Sequence, residues 1–219
     1  MIEDCIVTGI PRSGTSLTAG LIRLAGDHHF GNTIPGNKNN PKGFNESSEI
    51  RNSIVKPYLR VCNVDPNGQW PLPGRGDLRP YPSLKEEVMD IMGESPWAIK
   101  EPKILLMWER WSQAFPGAKW VATERDPDEV LDSVVRTGFM KAFKNKHGWG
   151  SWLAIHQDRL DSLIANTDCF VFKPSVALSG DMSHVYDLGS HLGVKIPHKA
   201  SQELLEPSLW TSSKENDSK

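Results

Sequence analysis

The segment Val7-Thr8-Gly9-Ile10-Pro11-Arg12-Ser13-Gly14-Thr15-Ser16 constrains this chain more than any other. Before it lies a short apolar run, Cys5–Thr8. After it, Leu17, Leu21 and Leu24 recur at helical spacing, and Gly26 suits the cap that ends the helix. A strand that passes into a helix through two glycines has few ways to fold. Gly9 and Gly14 allow a tight turn and a close backbone approach. The helix then opens with free N–H groups and its positive dipole end at the loop, which makes the loop an anion site. Thr15 and Ser16 add hydroxyl donors, and Arg12 brings a positive charge.

The spacing of Gly9 and Gly14 matches the nucleotide-triphosphatase loop G-x-x-x-x-G-K-[ST]. The lysine does not match: Thr15 stands in its place, and the charge lies three residues earlier, at Arg12. Nor is there a lone aspartate at the end of the third apolar run, which closes on Thr123-Glu124-Arg125. Both departures disfavour a magnesium triphosphate site.

Three further apolar runs, Trp97–Ile99, Lys119–Thr123 and Cys169–Phe172, read as strands. Like the first they are nearly continuous, as parallel strands covered on both faces are. Helical patterns alternate with them: Leu131, Val135 and Phe139 after the third, then Trp152, His156, Leu160 and Leu163. The alternation predicts an α/β protein, a three-layer α/β/α sandwich with a mostly parallel central sheet. Residues 1–210 read as a single domain and 211–219 as a frayed polar tail. Residues 31–45, with five Asn, three Gly and two Pro, form a long loop. Residues 65–82, with five Pro and three Gly, read equally as a binding loop or a surface insertion.

Composition narrows the classes. A net charge of −2 argues against a nucleic-acid binder. No apolar run approaches the ~20 residues of a membrane span. Three cysteines without a CxxC pair fit neither a disulfide framework nor a zinc site, and no secretory signal is visible, so the expected location is cytoplasmic.

A second anion site follows the third run, in Arg125-Asp126-Pro127-Asp128-Glu129-Val130-Leu131-Asp132-Ser133. Asp126 suits an N-cap and Pro127 the first helical turn. Arg125 sits at the carboxyl edge of the sheet, where α/β folds bind ligands. Its fork, with the Ser133 hydroxyl, can grip a phosphate. Two anion sites on neighbouring strand ends suit a nucleoside with phosphate-like groups at both ends.

This pair resembles the cofactor motifs of sulfotransferases that use 3′-phosphoadenosine 5′-phosphosulfate (PAPS). Their 5′-phosphosulfate loop looks like Pro11-Arg12-Ser13-Gly14-Thr15-Ser16, and their 3′-phosphate motif pairs an arginine with a serine eight residues on, as Arg125 and Ser133 do. Asn40-Pro41-Lys42-Gly43-Phe44-Asn45-Glu46 and Trp97-Ala98-Ile99-Lys100-Glu101-Pro102-Lys103 are similar to two motifs of a bacterial branch of the family. Beyond residue 140 the likeness thins, and Phe172-Lys173-Pro174-Ser175 stands where the family often has an acidic ending.

The resemblance implies a P-loop nucleotide-hydrolase-like fold and metal-free, in-line transfer of a sulfuryl group from PAPS to a hydroxyl or amine of a small-molecule or saccharide acceptor. Arg12 would neutralise the departing oxygen. Gly14, Thr15 and Ser16 would hold the 5′-phosphate, with Pro11 and Ser13 completing the loop; Arg125 and Ser133 would hold the 3′-phosphate. Glu46 is the first candidate for the base and Glu101 its rival. Lys100 and Lys103 are candidate sulfate contacts. His28 and His29 have suitable pKa values but no motif support. Trp149 and Trp152 are candidates to stack on adenine or a sugar, and Lys141, Lys144, Lys146 and His147 form a basic run. The competing readings are a kinase or triphosphatase on the same loop and a non-catalytic nucleotide-binding protein.

Overall fold

The computed structural model describes residues 1–36, 42–74 and 76–206. The tail expected at 211–219, and Asn40 and Pro41 of the third motif, lie outside these residues. Four parallel strands, β1 (Cys5–Gly9), β2 (Ala98–Lys100), β3 (Lys119–Thr123) and β4 (Cys169–Phe172), form one sheet in the order β2-β1-β3-β4. Each coincides with an apolar run to within a residue. Side chains alternate between the two faces, and each face meets helices. Ile6, Ile99, Trp120 and Ala122 enter one core; Cys5, Val7, Ala98 and Val121 enter the other. This is the expected α/β sandwich of the P-loop-like type.

The first core takes side chains from a π-helical segment (Ile50–Val55), α2 (Lys56–Val61), α3 (Leu84–Met92), a 3₁₀ segment (Pro102–Met107), α4 (Trp108–Ala114), α5 (Pro127–Arg136) and α6 (Lys146–Asn166). The second takes them from α1 (Thr15–Ala25), α7 (Pro174–Leu178) and α8 (Ser183–Leu192), while α9 (His198–Leu204) packs on α1.

Two helices bury a different stripe from the expected one. In α1 the buried residues are Thr15, Thr18, Ala19, Leu21 and Ile22, whereas Leu17 and Leu24 face the ligand cleft. In α5 they are Val130, Ser133 and Val134. Val135 is exposed, and Phe139 lies beyond the helix, which ends where Thr137 turns extended. Asp126 caps α5 as expected, accepting from the N–H groups of Asp128 and Glu129 at 2.9 and 3.1 Å.

Candidate active site

The carboxyl ends of β1, β2 and β3 open into one cleft of about 1250 Å³. That exceeds the roughly 300–1,000 Å³ of most small-molecule pockets, so there is room for more than one ligand. The loop after β1 forms its floor. Gly9 must be glycine because a Cβ there would collide with the hydroxyl and carbonyl of Thr123. The Ser13 N–H closes the turn on the Ile10 carbonyl at 3.0 Å, and the Ser13 hydroxyl bonds that of Thr123, tying the loop to β3. Ser13 is thus wholly buried and acts by shaping the loop. Arg12 takes a left-handed conformation at φ 77°, which a non-glycine residue holds only at some cost and which is common at ligand sites. Gly14, at φ 104°, stands at the N-cap of α1 without a side-chain acceptor, and the first turn of α1 carries no acid. The dipole end thus meets the cleft with no acid of its own first turn to offset it.

Two guanidiniums flank this turn. Arg12 Nε donates to Ser133 Oγ at 3.0 Å, and Arg125 Nη1 donates to the Arg12 carbonyl at 3.0 Å. Arg125 Nε also reaches Glu129 at 2.9 Å. Burial, then the nearby charge of Arg125 and Arg136, lowers the pKa of Arg12. Burial likewise lowers that of Arg125, against the pull of Glu129. Guanidiniums crowded in this way favour an incoming anion. Ser133 is nearly buried, so its first role is to hold Arg12. As a hydroxyl it accepts that bond and keeps its own proton to donate.

At the other side of the loop lies a carboxylate centre. Lys100, at the end of β2, places Nζ 2.6 Å from Glu46 Oε1 and 3.2 Å from Ser16 Oγ. Glu46 reaches this point because Asn45, at φ 54°, is pinned to α1: its Nδ2 donates to the Ser16 carbonyl at 3.1 Å and its Oδ1 accepts from Arg23 at 3.3 Å. Arg51 meets Glu46 Oε2 at 3.4 Å. Burial alone would raise the Glu46 carboxyl, but Lys100, Lys103 and Arg51 outweigh it and hold the group below its ordinary value.

Glu46 lines the cleft and Glu101 does not. Glu101 is instead the N-cap of the 3₁₀ segment: its Oε1 accepts from the Lys103 N–H at 3.1 Å and pairs with Lys103 Nζ. Position at a strand end suggested a base, but the next residue, Pro102, starts a helical turn whose free N–H groups take the carboxylate.

Other candidates fall elsewhere. His28 and His29 bond the carbonyls of Glu3 and Glu94, and His29 bridges to Trp97 at the amino edge of the sheet, remote from the cleft. Trp149 and Trp152 are fully buried, their Nε1 atoms given to the carbonyls of Phe143 and Gly68, so neither stacks on a ligand. Of the basic run only Lys141 lines the cleft; Lys146 pairs with Asp132. The 65–82 loop proves to be a cleft wall. Asn67 and Gln69 line it, and Gln69 accepts from the N–H groups of Lys141 and Ala142 and donates to the Phe139 carbonyl, which fixes the 138–142 segment opposite. Sequence reasoning gave no role to Arg23, Arg51 or Gln69. The acid–base spacing Glu46…Arg51 was the one available signal.

The sulfotransferase domain family matches residues 4–174. The chain belongs to the sulfotransferase family. A search of curated protein sequences finds no match. Among solved structures the fold is similar to that of sulfotransferase STF1 from Mycobacterium tuberculosis, at 15% identity and a TM-score of 0.51, over 94% of this chain and 71% of that one. The matched region contains every residue that flanks the anion loop. Leu178 and Leu204, which complete the cleft wall, come from α7 and α9 beyond it. Lys42 joins that wall to the third motif by bonding the last carbonyls of α9, Glu203 and Leu204. Among the described residues no helix is long and apolar enough to cross a membrane, and no three His, Cys, Asp or Glu converge as metal ligands would.

Proposed function

We propose that this sulfotransferase takes PAPS as donor and passes its sulfuryl group to a hydroxyl or amine of a small-molecule or saccharide acceptor. The observation that carries the reading is the pair of crowded guanidiniums, Arg12 and Arg125, on neighbouring strand ends beside the bare N-terminus of α1. Such a set fits a ligand with an anionic group at each end of a nucleoside. Thr15 in place of the triphosphatase lysine weighs against a kinase. When bound, the donor supplies the sulfuryl group and a phosphate leaving group.

The protein's part is positioning and electrostatics, as in phosphoryl transfer through a loose, in-line transition state. The first N–H groups of α1, with the Thr15 and Ser16 hydroxyls, hold the 5′-phosphate. Arg12 is oriented by Ser133 toward the place where leaving-group charge develops, and Arg125 grips the 3′-phosphate with the Ser133 proton. Glu46 accepts the acceptor's proton. In its resting pair with Lys100 it is a weak base, since its pKa is held low. The same ammonium also touches Ser16 of the anion loop. Any pull of Lys100 toward anionic charge at that loop loosens its hold on Glu46, and the carboxylate becomes a stronger base when one is needed.

Thermal unfolding tests the donor assignment. Adenosine 3′,5′-bisphosphate at about 100 times its dissociation constant stabilises the fold by ~2.7 kcal/mol. AMP and ATP, with or without magnesium, stabilise it far less, and Arg125→Ala erases the difference between bisphosphate and AMP. Stabilisation by magnesium ATP alone, or equal effects of AMP and bisphosphate on the wild type, overturns the reading.

A further inference from the structure

A group of cations stands on the far side of the anion loop from Arg125. The strand order β2-β1-β3 puts Arg125 beyond β3, the loop at β1, and Lys100 and Lys103 beyond β2. The π-helical segment Ile50–Val55 runs beside them. Its i→i+5 bonding, seen in the bond from the Lys56 N–H to the Arg51 carbonyl, brings Lys56 over Arg51 where an α-helix would turn it aside. π-turns of this kind recur at functional sites. Arg51, Lys56, Lys100 and Lys103 therefore gather around two carboxylates, Glu46 and Glu101. Arg60 adds a further positive charge to the field at Lys56.

The pairing leaves a surplus. Lys100 is committed to Glu46 and Lys103 to Glu101. Arg51 shares Glu46 through a single contact at 3.4 Å, and its buried Nε has no hydrogen-bond partner. Lys56 makes no hydrogen bond or salt bridge among the described residues. Burial first, then repulsion from Arg51 and Lys103, lowers the Lys56 pKa, with Glu101 the one acid opposing it. A buried donor without an acceptor, beside a crowded ammonium, is a costly arrangement in isolation. An anion seated against the exposed part of Arg51 and against Lys56 would offset that crowding of charge.

We infer that Arg51, which lines the cleft, and Lys56, one π-turn behind it, form an anion subsite beside Glu46, and that the acceptor carries a carboxylate, sulfate or phosphate group near its accepting hydroxyl or amine. The subsite lies on the base side of the loop, so it would orient the accepting atom toward Glu46. The acceptor assignment rests on the sulfotransfer reading; the anion subsite does not.

The test uses the whole protein saturated with adenosine 3′,5′-bisphosphate, which fills the donor end. Inorganic sulfate is titrated by calorimetry into the wild type, Arg51→Gln and Lys56→Gln, each checked for an unchanged fold by its thermal midpoint. Loss of a charge-assisted bond weakens sulfate binding by about tenfold or more in each variant. In parallel, initial rates of sulfotransfer are compared for D-glucuronate and D-glucose, which share their ring hydroxyls and differ in a carboxylate. Glucuronate is the better acceptor, and Lys56→Gln lowers its kcat/KM by a larger factor than that of glucose. Equal sulfate affinity in all three proteins overturns the subsite. A wild type that prefers glucose overturns the acceptor class. If the bisphosphate fails to bind, yet both variants still weaken sulfate binding, the donor reading falls and the subsite stands.

Discussion

The two ends of the cleft hold their central cations, Arg12 and Lys100, by different means. At the loop end, Arg12 is held by the Ser133 hydroxyl, and Arg125 by the Arg12 carbonyl together with Glu129. At the Glu46 end, Lys100 and Lys103 are each pinned by a carboxylate within hydrogen-bond distance. A neutral acceptor leaves the Arg12 guanidinium's field intact, so Arg12 is a standing positive charge for a permanently charged ligand. Carboxylates cancel much of the field until something displaces them, so the Glu46 end is built to rearrange. Fixed charge suits transition-state stabilisation, and exchangeable pairs suit proton transfer.

Removing the fixed charge has the largest effect. Arg12→Ala lowers kcat by ~100-fold or more in a sulfotransfer assay, as loss of a donor aimed at developing charge does. An unchanged rate would mean that the standing field acts elsewhere. At the exchangeable end the sharper readout is pH. Glu46 must be ionised to accept a proton, so activity is present above its pKa and lost as pH falls through it. Lys100 and its neighbours hold that pKa low against burial. In Lys100→Met the burial effect faces fewer cations, so the acid limb of kcat/KM moves to higher pH as the rate falls. A limb that stays in place would show that Glu46 is not the group titrating.

The loop end was legible because it is local. Gly9, Arg12, Gly14 and the cap Asp126 lie within single strand–turn–helix units, and their roles follow from backbone chemistry that neighbours enforce. The Glu46 end is assembled at long range. Lys100 and Glu46 meet only because β2 pairs with β1 and Asn45 anchors its loop to α1. The motif stretches pointed to both residues without joining them. Lys56 was invisible, because a π-turn has no hydrophobic period that sequence reading follows. Trp149 and Trp152 were misjudged for a related reason. An aromatic residue announces burial or stacking equally well, and α6 settles the matter by bonding Trp152 to the wall loop at Gly68 and packing Trp149 on Phe143 and Trp152.

The smallest predicted effect separates the two acids of the rearranging end. Glu101 and Glu46 each pair with a lysine, but Glu101 is turned into the protein as the cap of the 3₁₀ segment. Glu101→Gln keeps an oxygen for the Lys103 N–H and gives up the charge against Lys103 Nζ. The expected loss is ~1–2 kcal/mol, the difference between a charged and a neutral hydrogen bond. It appears as a lower thermal midpoint, at roughly 2–4 °C per kcal/mol for a chain of this size. The acid limb of the rate profile stays where the wild type has it, because the proton acceptor is untouched. Should that limb move instead while the midpoint holds, the base assignment passes to Glu101, and the division of the cleft has to be drawn one residue along the chain from Lys100.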